Sequence, residues 1–239
     1  MKKSIALVTL IILLVSCKSA SSSTSFLGSV KYNQAVLTFE DGTVKKGFAE
    51  MVDMPFAKIK FRPTEKGDTE MILSDELKKV DYIDKEGNKY EAVRLYFNKD
   101  KGEKGIKKGE KVWVYLLYNN GMKLASSRSA STFRYNPSNG TSTGSGGSTM
   151  VFIGKENEDG IFYLYSLEDQ ISINTGMDKA VEKNCELLFK NCPKFLEAIK
   201  AENFKKNTLI NRLIELYEAS DCNKLIKVEK KKKTSSKKK

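Results

Sequence analysis

Ala35-Val36-Leu37-Thr38-Phe39-Glu40-Asp41-Gly42-Thr43-Val44-Lys45-Lys46-Gly47-Phe48 decides the fold class. Ala35, Leu37 and Phe39 alternate with Val36, Thr38 and Glu40, the period-two pattern of a half-buried strand. Asp41-Gly42 follows, and Val44, Lys46 and Phe48 resume beyond it. Asp-Gly between alternating runs marks a tight hairpin, because the turn needs positive φ. The chain therefore enters its folded part as antiparallel β structure.

The same grammar continues downstream. Ala57, Ile59 and Phe61 share one face of a strand that ends by Pro63, and residues 69–73 read as its partner. Ser74-Asp75-Glu76-Leu77 reads as one capped helical turn. Residues 80–84 and 90–97 flank Lys85-Glu86-Gly87-Asn88 as another hairpin. Residues 99–109 are rich in Lys and Gly and read as a mobile, solvated loop, although its lysines suit phosphate contacts. Residues 112–118 are the most apolar strand, with Val112, Val114 and Leu116 on one face and Trp113, Tyr115 and Leu117 on the other. Apolar residues on both faces indicate a central strand covered on both sides. Asn119-Asn120-Gly121 turns it back into residues 122–125.

A Ser/Gly-rich loop is expected over 126–149. Arg128, Phe133, Arg134 and Tyr135 within it are candidate contacts for a sugar or a protein partner. No helix follows its Gly run and no Gly-Lys-Ser is present, so it is not a phosphate loop. Residues 150–154 and 161–167 make a last hairpin around Glu156-Asn157-Glu158-Asp159-Gly160.

At 175 the period changes. Val181, Cys185, Leu188 and Cys192 recur at helical spacing until Pro193, which suits the first turn of a second helix. That helix carries Phe195, Leu196 and Ile199. Leu209, Ile210, Leu213, Ile214 and Tyr217 line a third. Seven residues along a helix is ~10 Å, too far for a Cys185–Cys192 bridge, which needs Cα atoms within ~7 Å. Cys222 must take one of them, and Cys192 is favoured because it sits at a helix junction. The expected class is α+β. An antiparallel β domain spans 27–174, and a three-helix segment at 175–223 packs on it.

The N-terminal end gives an address. Met1-Lys2-Lys3 is a positive head, residues 5–15 are an apolar run broken only by Thr9, and Leu14-Val15-Ser16-Cys17 closes it. This is the layout of a secretory signal, too short to span a bilayer. Leu-Val-Ser-Cys resembles the lipobox of bacterial lipoproteins. That resemblance implies a signal peptide at 1–16, cleavage after Ser16, and diacylglyceryl and acyl groups on Cys17, with residues 17–26 as a Ser-rich tether. The expected place is a bacterial cell envelope, on the periplasmic side, with the cell surface as the alternative.

The formal charge of +12 needs locating. Residues 224–239 hold nine lysines and one acid, so the tail carries +8 and is expected to be disordered. The stretch 17–223 is left with only +2, which argues against a basic groove for nucleic acid. Forty per cent of residues are hydrophobic, enough for a packed core. There is no histidine, which excludes hydrolases built on a His base and His-containing zinc sites. No cofactor, metal or catalytic residue is expected.

The body is similar to a group of uncharacterised Bacteroidota-type envelope lipoproteins. The carriers are Phe39-Glu40-Asp41-Gly42-Thr43, Ser74-Asp75-Glu76, Gly87-Asn88-Lys89-Tyr90, Asn191-Cys192-Pro193 and Asp221-Cys222. The resemblance implies a β-rich domain with a helical C-terminus and transfers no catalytic residue. The expected function is a non-enzymatic, lipid-anchored module that binds an envelope protein or glycan or contributes structurally. Two other classes remain. One is a carboxylate hydrolase acting on envelope glycans through acids such as Glu40, Asp41, Glu156, Glu158 and Asp159. The other is polyanion binding through Lys230 to Lys239.

Overall fold

In the computed structural model, residues 32–128, 132–136, 141–145, 149–167, 176–205 and 208–223 are described. For Arg128, the strands at 132–136 and 141–145, and Leu167, only the backbone is described. The leader, Cys17, the tether and the basic tail lie outside the described residues.

The expected hairpin is present. β1 (Tyr32–Phe39) pairs antiparallel with β2 (Val44–Glu50). Gly42 closes the turn at φ 87° and donates its N–H to Phe39 O. β3 (Lys58–Arg62) and β4 (Glu70–Leu73) extend the sheet beyond β2. β5 (Leu77–Ile83) returns to the free side of β1. Alternate residues of these strands face one core, which includes Ala35, Leu37, Ile59, Phe61, Ile72, Leu77, Val80 and Tyr82.

The turn joining β4 to β5, Ser74–Glu76, is a single 3-10 turn and corrects one expectation. Ser74 does not cap it. So short a turn closes on one backbone bond, Leu77 N–H to Ser74 O, and has few orphan groups to satisfy. The buried Ser74 hydroxyl instead donates to Phe56 O at 2.6 Å and accepts the Trp113 indole N–H at 2.9 Å. Trp113 is almost completely buried in this core. Its N–H needs an acceptor there, and the serine supplies it.

β6 (Lys89–Asp100) is the hinge of the architecture. Residues 89–93 pair with β5, while residues 92–96 pair on the other edge with β8 (Lys111–Asn120). β9 (Met122–Arg128), β12 (Thr149–Lys155) and β13 (Gly160–Leu167) follow in antiparallel order. β13 then pairs parallel with residues 96–98 of β6 and closes a five-stranded barrel. The barrel is therefore mixed, with this parallel pair set among the antiparallel pairings that were expected. Its interior is filled by Leu95, Val114, Ala125, Phe152 and Ile161, one from each of the five strands.

β8 is covered on both sides, as its pattern requires. Trp113 and Tyr115 face the core of the N-terminal sheet, while Val112, Val114 and Leu116 face the barrel. A bulge between Leu116 and Tyr118 breaks the alternation. Leu117 is left exposed, and Tyr118 turns towards the helices.

Two segments expected as loops from composition contain strands. Residues 99–109 contain a 3-10 turn (Gly102–Lys104) and β7 (Ile106–Lys107), which pairs with the end of β6. Within 126–149, residues 126–128 belong to β9. β10 (Thr132–Asn136) and β11 (Thr141–Ser145) form a separate two-stranded hairpin, and Thr149 opens β12.

α1 (Met177–Phe189), α2 (Pro193–Ala201) and α3 (Leu209–Ala219) cover the outer face of the barrel. Met177, Val181, Cys185 and Leu188 form one stripe against Met122, Leu124, Val151, Ile153, Phe162 and Leu164. Phe189, Phe195 and Tyr217 meet edge to face at 5.3–5.6 Å between ring centroids. A Cys192–Cys222 disulfide joins the start of α2 to the end of α3, with Cα atoms 5.5 Å apart. Cys185 is a free, buried thiol.

Candidate anion-binding groove

The ribbon β6–β7–β8 forms one wall of a groove of about 1300 Å³. Met54, Pro55 and Phe56, from the segment after β2, form the other. The ribbon is ordered by its own backbone and one acid. Asp100 accepts the Gly102 N–H at 2.9 Å and the Lys183 ammonium of α1 at 2.9 Å, which hold its carboxyl below the usual range, the lysine contributing most. Lys101 N–H bonds Gly105 O, and Phe97 N–H bonds Glu110 O. Gly109 is required by close approach, since a β-carbon there would run into the Phe97 carbonyl oxygen.

Six cations line this groove: Arg94, Lys99, Lys101, Lys107, Lys108 and Lys111. Only two acids line it, Asp75 and Glu110, so the lining carries a net +4. Asp75 is ion-paired with the half-buried Arg94 guanidinium. Arg94 also donates from Nη2 to Lys111 O at 3.4 Å, and its buried Nε has no partner among the described residues. Lys111 meets Glu40 at 2.9 Å. The other four lysines form no ion pair within the described residues. Aromatic faces hold some of them. The Lys108 ammonium lies 3.5 Å from the Tyr96 ring centroid, Lys111 lies 5.5 Å from the same ring, and Lys99 lies 5.8 Å from that of Phe97. Cation–π contact fixes such side chains without neutralising them.

The sequence reading did not place a groove here. Averaged over the body, the charge is near neutral, and that average conceals the excess of cations lining this groove. The available signal was the lysine density at 99–111 flanking Ile106, a residue that belongs in a strand rather than a flexible loop.

The sequence candidates fall elsewhere. Cys17 lies outside the described residues. The backbone at Arg128, Phe133, Arg134 and Tyr135 is in β9 and β10, and their side chains lie outside the described residues. The candidate acids are divided between two turns. Asp41 accepts the Thr43 N–H at 2.8 Å and the Thr43 hydroxyl at 2.7 Å, which lower its pKa. Glu40 meets Lys111, and Glu156 accepts the Gly121 N–H at 3.1 Å. Glu158 meets Lys155 at 3.3 Å, and its carbonyl accepts the buried Lys123 ammonium at 2.7 Å. The Asp159 carbonyl accepts the Tyr96 N–H at 2.7 Å. Among the described residues no three His, Cys, Asp or Glu side chains are grouped to hold a metal ion, and no helix is long and apolar enough to cross a membrane.

Comparison with protein-family models, with curated proteins and with solved structures finds no match to this chain.

Proposed function

We propose that this chain is a lipid-anchored protein of a bacterial cell envelope whose body is a non-catalytic binding module, and that the groove beside β6 and β8 takes its anionic ligand. The observation that carries the binding role is the set of six cations lining one groove with two acids. The absence of histidine and the use of the candidate acids in turns and ion pairs support a module without catalysis. The charged head, the apolar run and Cys17 support the anchor. A glycan or protein of the envelope is the partner class within reach of such an anchor.

Lys99, Lys101 and Lys107 are exposed, so replacing all three by glutamine leaves the core intact. Each lysine at an anionic surface contributes about 1 kcal/mol, so affinity of the full chain for dextran sulfate is expected to fall about 100-fold. A parallel deletion of Lys230 to Lys239 separates the tail. If the deletion abolishes binding and the groove triple does not weaken it, the groove reading fails. For the anchor, Cys17→Ser is expected to remove the lipid mass and release the protein from the membrane fraction. Retention of that variant in membranes refutes the anchor.

A further inference from the structure

We infer that the groove's ligand is a linear acidic glycan lying extended along the β6–β7–β8 ribbon, an inference that rests on the binding role proposed above. The cations are strung out, not gathered. In register, Lys99 faces Lys107 and Tyr96 faces Lys111, with Arg94 two residues further along β6; alternation sets the first pair on one face of the ribbon and Arg94 and Lys111 on the other, and the groove is lined by both. At ~3.3 Å per strand residue, the six steps from Arg94 to Asp100, where β6 ends, span about 20 Å, and Lys101 follows directly. A compact phosphate reaches only a fraction of that length.

Like charges directly opposite on paired strands destabilise the pair. Lys99 and Lys107 occupy such a position, and neither has an ion pair within the described residues. An anionic group between them removes the repulsion, and a chain with anionic groups at intervals does so along the whole ribbon. The two acids also bear on the class. Asp75 exposes its carboxylate although paired with Arg94, and Glu110 is exposed. They disfavour a ligand charged at every step, while accepting hydrogen bonds from sugar hydroxyls between spaced charges. The rings argue against unpaired nucleic acid, which gains affinity by stacking its bases on aromatic faces. Tyr96 is occupied by Lys108, Phe97 packs edge to face on Phe152 at 5.8 Å, and Trp113 is buried behind Arg94.

The test titrates the full chain, and its Lys99→Gln/Lys107→Gln variant, with oligogalacturonates of increasing length. Inorganic pyrophosphate and oligothymidylates matched in charge are run alongside. Wild-type affinity is expected to rise with glycan length until the ribbon is spanned and then level off. The double variant is expected to lose about 30-fold for the long glycan and little for the shortest. Pyrophosphate competing as well as the long glycan overturns the extended mode and leaves the binding module standing. A tenfold preference for oligothymidylate, by order of magnitude, overturns the glycan class in the same way. Equal binding of every anion by wild type and variant removes both the inference and the reading beneath it.

Discussion

Reduction of the Cys192–Cys222 bridge is expected to destabilise the body by about 3–4 kcal/mol. The bridged residues are 30 positions apart, and closing a loop of that length restricts the unfolded chain by about this much on the loop-entropy model. The native side of the balance supports the full effect. Cys192 and Cys222 are both buried in the cluster that holds Phe189, Phe195 and Tyr217. Ser220 Oγ donates to Tyr217 O and accepts the Cys222 N–H, so the end of α3 is held in place around the sulfur. Opening the bridge therefore also loosens the helix end against the barrel. With a urea m-value of ~2 kcal/mol/M, the unfolding midpoint should drop by about 1.5–2 M. Equilibrium unfolding with and without reductant measures this. Cys222→Ser should reproduce the reduced midpoint and be insensitive to reductant. An unchanged midpoint on reduction sinks the expectation.

Alkaline pH should have an effect of the same size. The Cys185 thiol is fully buried in the helix–barrel cluster, and burial pushes its pKa up to about 12 from an ordinary 9.0. Burial also raises the phenols of Tyr82, in the N-terminal core, and Tyr217, between the helices. Each group keeps its proton in the folded state at a pH where the unfolded chain has lost it. The native state then binds more protons, so stability falls as pH rises. For Cys185 the loss begins near pH 9 and runs to about pH 12, roughly 1.4 kcal/mol per pH unit and about 4 kcal/mol in all. The tyrosines add to it above their ordinary value of 10.0. Lys123 opposes them. Burial depresses its pKa, so the protein gains stability as pH rises from that depressed folded value towards the unfolded one. Three buried acids against one buried lysine leave a net fall. Urea midpoints across this range should be flat to pH 8 and decline above 9. Cys185→Ala should remove about 1.4 kcal/mol per unit from the first part of the decline. An identical slope in wild type and variant refutes the assignment.

Local signals were legible in the sequence, and non-local ones were not. Asp41-Gly42 announced its hairpin because the turn chemistry is contained in a few residues. The two apolar faces of β8 announced a doubly covered strand because alternation survives any context. The helix stripe through Val181 and Cys185, and the helix junction at Cys192, placed the disulfide because both are geometry along one chain. The parallel pairing of β13 with β6 leaves no local mark, since Gly160-Ile161-Phe162 read the same whichever strand lies alongside. The Leu116/Tyr118 bulge was hidden because Leu117 continues the apolar alternation and differs only in being exposed. Ser74 was read as a cap because Ser-Asp-Glu is capping chemistry. What overrode it was the need of a distant indole for an acceptor. The groove was missed for a related reason. Lys99 and Lys107 look like solvated charges in a loop, and only pairing of the strands sets them face to face.

The position of β1 has a mechanical consequence. It is an inner strand, hydrogen-bonded to β2 along one edge and β5 along the other, and it is the first strand of the described chain. A pull applied from its N-terminal side along the strand axis meets both ladders at once and loads their bonds side by side, not one after another. A body tugged at that end resists as a rivet in shear resists, and gives way only when the two rows slip together.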